Sequence, residues 1–119
     1  MKLLGHQGDI VIFGIEILPK NLIEDAQTKA GILARGEASG HAHQLDDLDN
    51  GQVFKGNNGL LYVDVKRTLK IVHGRARDFT GKEGDHDYHN PVTLDPGLYS
   101  IGIVEETDWI SKTIRKVID

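Results

Sequence analysis

Gly8-Asp9-Ile10-Val11-Ile12-Phe13-Gly14-Ile15-Glu16-Ile17-Leu18 is the run on which the fold turns. Its density of β-branched residues and its lack of a 3.6-residue period make it a strand rather than a helix. Val11, Phe13, Ile15 and Ile17 share one face, while Ile10, Ile12 and Leu18 share the other with Glu16. Pro19 ends it, having no N–H to give a ladder.

Further strands follow at short intervals. After a polar stretch, Asn21 to Lys29, that reads as a helical turn or a loop, Gly31 to Ala38 carries apolar Ile32, Leu33 and Ala34. Asp46-Asp47-Leu48-Asp49-Asn50-Gly51 is dense in turn formers. Gln52–Lys55 and Leu60–Lys66 flank Gly56-Asn57-Asn58-Gly59, whose Asn-Gly pair predicts a hairpin with a type I′ turn. In the second arm Leu61, Val63 and Val65 share a face, opposite Tyr62 and Asp64. Leu69 to His73 is another short strand, with His73 in phase with Leu69 and Ile71. Gly74 to Asp85 is charged and glycine-punctuated and reads as the most mobile loop. Asp95-Pro96-Gly97 is a turn, and Leu98 to Glu106 the last strand.

From Thr107 to Asp119 the period changes. Ile110, Ile114, Val117 and Ile118 fall on one helical face, with Thr107 or Asp108 as cap. The expected fold is therefore all-β: one domain over 1–119, with a small antiparallel β-barrel or sandwich over 1–106 and a short C-terminal helical tail over 107–119. At 119 residues the chain suits a single core.

Composition excludes several function classes. Fourteen Lys and Arg against 18 Asp and Glu give a net charge of −4, a poor match to a nucleic-acid backbone. No apolar run approaches the roughly 20 residues of a membrane span. The start, Met1-Lys2-Leu3-Leu4-Gly5-His6, lacks the apolar middle of a signal peptide, and there is no cysteine. The expectation is a chain made in the cytoplasm, with no membrane or nucleic-acid partner. No phosphate loop or dinucleotide fingerprint is present, and no Ser-His-Asp or Cys-His set has positional support. Asp46, Asp47 and Asp49 do not form a calcium loop, whose glycine and final Glu are misplaced here.

The histidines carry the remaining chemistry. His41-x-His43 follows the small-residue run Gly36-Glu37-Ala38-Ser39-Gly40. On a strand the two rings share a face about 6.5–7 Å apart. His86-x-x-His89 precedes the last strands. Together His41, His43, His86 and His89 form a candidate metal set for one divalent transition ion (Zn, Fe, Ni or Mn). Three nitrogens with an open position suit catalysis, and four closed ones suit structure. Against this stands the plainer reading of surface histidines that only hydrogen-bond. Glu37, Asp46, Asp47 and Asp87 are candidates for orienting a ligand from behind.

Two resemblances attach to these residues. His41-x-His43 resembles, distantly, the histidine pair of cupins, metal-binding β-barrels. Asp47 stands where a cupin has Glu, and no ligand follows Asp95-Pro96-Gly97, so cupin oxygenase or isomerase chemistry is not carried over. Across most of the chain, three blocks occur in order. They are Gln7-Gly8-Asp9-Ile10, then Gly36-Glu37-x-Ser39-Gly40-His41-x-His43, then His86-x-x-His89-x-Pro91-Val92-x-Leu94-x-Pro96-Gly97-x-Tyr99. Jointly they resemble a group of small uncharacterised prokaryotic and tailed-phage proteins. The chain differs from that group by its long Gly74–Asp85 insertion and by Tyr88 in place of an acid.

Small size, the phage resemblance and no catalytic set beyond the histidines lead to one expectation. It is a non-enzymatic phage-type structural or interaction module, a virion capsid-associated (decoration) protein, whose histidine cluster is structural. Its partner is a protein, a capsid lattice or further copies of itself. The alternative is a cupin-like metal-dependent enzyme using His41, His43, His86 and His89.

Overall fold

A computed structural model describes residues 2–36, 40–82 and 89–103. The chain runs β1 (Lys2–Gln7), β2 (Ile10–Ile15), α1 (Ala26–Lys29), β3 (Ile32–Arg35), β4 (His41–Leu45) and β5 (Gly51–Lys55). It continues with β6 (Leu61–Val65), β7 (Leu69–Arg75), β8 (Val92–Leu94) and β9 (Gly97–Ile103). A five-stranded sheet has the order β1-β2-β9-β6-β5 and a four-stranded sheet the order β3-β4-β7-β8. Every pairing between these strands is antiparallel. The all-β expectation holds, and of its two forms the described residues give the sandwich: both sheets stay open and no barrel closes.

The core lies between the sheets. Ile10, Ile12, Val53, Leu61, Val63, Val65, Tyr99 and Ile101 meet Leu33, Ala34, Leu45, Leu69, Ile71 and Leu94 there. Fully burying one such aliphatic side chain stabilises by about 1.5–3 kcal/mol. β2 faces this core with Ile10 and Ile12, yet Val11 and Phe13 on its other face are buried as well, at 2% and 1% exposed. A strand buried on both faces reads as a continuous apolar run rather than an alternation. On β3 a register shift between Ile32 and Ala34 breaks the alternation, and both Leu33 and Ala34 enter the core.

Three details differ from the sequence reading, and a fourth, the helical turn after Pro19, settles an alternative it left open. Lys2–Gln7, unassigned there, is an edge strand with exposed Leu3 and Leu4. The polar stretch after Pro19 contains one helical turn, closed by a capping box between Asp25 and Thr28. The β5–β6 turn is not type I′, which needs positive φ at both central residues. Only Gly59 has it, at φ 82, and Gly59 N–H donates to Gly56 O while Gly56 N–H donates to Leu60 O. That is a type I turn followed by a glycine bulge. Lastly, the described part of Gly74–Asp85 is anchored rather than loose. Ala76 packs on Ile32 and Ala42, Arg77 donates to Ala30 O and Leu45 O, and Arg35 grips Asp78 with two hydrogen bonds of 2.7 Å. The predicted helix over 107–119 lies outside the described residues.

Candidate functional site

Strand parity builds the site. On β4, His41 and His43 point the same way as Leu45, and on β7, His73 points the same way as Leu69 and Ile71. The register sets His43 opposite His73 and Leu45 opposite Ile71. The histidines therefore continue the apolar row of the four-stranded sheet's inner face toward one end of the sandwich. All three are buried: His41 and His43 are 1% exposed and His73 7%.

The rings pack against one another. His43 and His73 stack with centroids 4.3 Å apart and planes 9° apart, closer than offset pairs usually come. His89 adds a third, nearly parallel ring, 5.0 Å from His73 and 6.0 Å from His43. His41 meets His73 edge-on at 6.0 Å. Stacked rings keep their nitrogens in parallel planes. Accordingly, among the described residues, no three His, Asp or Glu side chains already close on one point as a metal cage.

Gln7, the last residue of β1, organises the cluster from across the sandwich. Its Nε2 donates to Ile71 O at 3.0 Å and Asn90 O at 2.8 Å. Two carbonyls only accept, so this atom is the amide nitrogen and Oε1 is the acceptor. Oε1 lies 2.8 Å from His43 Nδ1. His43 must then carry its proton on Nδ1, leaving a lone pair on Nε2. His73 has the reverse tautomer, since its Nδ1 accepts from His89 N–H at 3.2 Å.

His43 Nε2, which carries the lone pair, lies 3.7 Å from Asp9 Oδ1. Burial pushes the His43 pKa down to about 4, helped by positive charge on His73 or His89, while Asp9 opposes the shift. At neutral pH the imidazole is uncharged, so Asp9 and His43 are two acceptors facing each other rather than an ion pair. Asp9 is half-exposed, and its preceding Gly8, at φ 57, turns the β1–β2 hairpin. A β-carbon on Gly8 would lie 2.7 Å from His89 Nε2 and 3.3 Å from His43 Cε1. Gly8 thus serves the turn and lets both rings approach the backbone.

Of the four predicted ligands, the structure brings His41, His43 and His89 into one cluster; His86 lies outside the described residues. Asp46 and Asp47 do not orient histidines. Asp46 accepts from Lys70 N–H, and Asp47 closes its own turn through Asn50 and the Asp49 N–H. Glu37 and Asp87 lie outside the described residues. Sequence reasoning missed three participants, His73, Gln7 and Asp9. The phase of His73 with Leu69 and Ile71 was a usable signal, and Gln7 and Asp9 belong to the first of the three recurring blocks. An open cleft of about 240 Å³ beside Glu24, Lys29, Asp49, Gln52, Asp64 and Lys66 holds none of the histidines.

Searches among curated proteins and among solved structures return no match. A family model described as a domain of unknown function (DUF8820) matches residues 6–103. That span covers most of the chain and includes Gln7, Asp9 and each described histidine of the cluster. The chain belongs to this family of domains of unknown function.

Proposed function

We propose that the chain is a non-enzymatic, phage-type structural module that docks on a protein lattice such as a capsid, and that its histidine cluster serves the fold. The observation that carries this reading is the internal use of the histidines. Gln7 ties His43 on one sheet to Ile71 and Asn90, and the stacked rings fill the end of the core. Such a clasp holds the two open sheets together from within the core. The resemblance to compact phage-encoded chains supports the docking half. Quantitative mass spectrometry of gradient-purified phage particles tests it, together with pelleting of the purified chain with assembled capsids. Stoichiometric presence in particles and co-pelleting are expected; absence from both refutes the docking reading.

The alternative, a cupin-like metal-dependent enzyme with ligands among His41, His43, His86 and His89, is favoured by the meeting of His41, His43 and His89. The open sheets speak against the cupin-like part of it. Metal analysis of the wild type beside a His41→Ala variant separates the two. Metal that is lost with His41 supports the enzyme, and a wild type that is metal-free, or a His41→Ala variant that keeps its metal, rejects it.

A further inference from the structure

The geometry points to a divalent transition-metal site at the β1–β2 turn, held by His43 Nε2 and Asp9 Oδ1, with His89 turning in as third ligand. It does not depend on the docking reading. The first ground is the tautomer of His43. A histidine that binds metal through one nitrogen almost always donates the other N–H to a carbonyl or carboxylate, which fixes ring and tautomer. His43 donates Nδ1–H to Gln7 Oε1, and Gln7 is itself locked by Ile71 O and Asn90 O. The support behind the ligand is thus in place, and among the described residues no donor takes the lone pair in front of it.

Distance is the second ground. Zinc bonds of about 2.0–2.1 Å to nitrogen and 2.0–2.2 Å to oxygen, at a tetrahedral angle, put the two ligand atoms about 3.4 Å apart. His43 Nε2 and Asp9 Oδ1 are 3.7 Å apart, within a small adjustment of that separation. Both are acceptors, so the gap asks for a cation or a donor between them. The Asp9 carboxylate is half-exposed, which gives an ion its path in.

His89 is the third ground. Its Nε2 sits against the Gly8 backbone, one residue from Asp9 and beside the His43 ring. Its exposed ring stacks on His43 and His73 and makes no ring hydrogen bond among the described residues, so a change of rotamer can bring it toward Asp9. The resulting two-nitrogen, one-carboxylate set suits Zn²⁺ or Co²⁺ and keeps a position open. The ion would tie the hairpin tip, β4 and the segment carrying His89 together. Neither His41, which meets His73 edge-on, nor the buried His73 is in this set.

Titrating tag-free, chelator-treated protein with Co²⁺ and following its visible absorption tests the site, with Zn²⁺ displacement as the second reading. One Co²⁺ per chain, displaced by Zn²⁺, is expected. Asp9→Asn and His89→Ala, both at exposed positions, should each weaken binding at least tenfold while leaving the metal-free melting temperature near that of the wild type. A folded wild type that takes up no Co²⁺ overturns the proposal, and so does binding equal in wild type and Asp9→Asn.

Discussion

The inner face of the four-stranded sheet has two halves built on the same strands. In one, Leu45 faces Ile71; two residues along, His43 faces His73. Backbone geometry is shared, and both halves are buried, but they are held together differently. The apolar half is stabilised by area removed from water, which asks only for fit. In the histidine half each ring brings two polar nitrogens inside, and every one must find a partner or cost about 1–3 kcal/mol. Gln7 serves that half, and among the described residues no polar side chain does the same in the other. A polar extension of a core needs a second, longer-range set of residues, whereas an apolar one needs only its neighbours.

Substitutions on either side should separate the two halves. Ile71→Ala removes a fully buried side chain and is expected to cost about 2–5 kcal/mol in denaturant unfolding. Gln7→Ala should cost about 2–3 kcal/mol despite removing little apolar area, because His43 Nδ1–H, Ile71 O and Asn90 O lose a partner. A cost no larger than that of an exposed residue would mean that water replaces Gln7 and that the clasp contributes nothing.

pH should act on the histidine half alone. His43 titrates at about 4 in the folded chain and near 6.5 when unfolded, so unfolding takes up a proton between those values. Its contribution is complete above about pH 6.5 and is lost as pH falls toward 4, by at most about 1.4 kcal/mol per unit. Metal-free protein should show this slope in chemical denaturation from pH 7 to 4.5. Ile71→Ala should lower the whole curve and leave the slope as it is. The smallest effect is expected at Gly59, whose φ is 82 with open space around it. Gly59→Ala should cost about 1 kcal/mol from backbone strain alone. Gly8→Ala, where a methyl also meets His89 and His43, should cost more.

Much of the sheet structure was legible locally. The apolar run from Ile10, the parity of Leu61, Val63 and Val65, and the break between strands at Asp95-Pro96 are each decided within a few residues. Sandwich against barrel is not, because it depends on β9 inserting between β2 and β6, a pairing of residues far apart in sequence. The edge strand β1 escaped notice since an exposed edge carries no apolar alternation. For the site, the parity of His41 and His43 was readable, as was that of His73. Gln7 and Asp9 were not, because a glutamine and an aspartate before a strand say nothing about a histidine more than 30 residues away. The Asn-Gly turn misled because the loop is one residue longer than type I′ requires.

The state of His43 is the most direct point of attack. Long-range ¹H–¹⁵N correlation spectra of the imidazoles in metal-free protein report which nitrogen holds the proton and where the ring titrates. A protonated Nδ1 and a bare Nε2 on His43 at pH 7, persisting until the pH nears 4, are expected. A proton on Nε2, or a midpoint near 6.5, would contradict the role given to Gln7 and with it the organisation of the whole cluster.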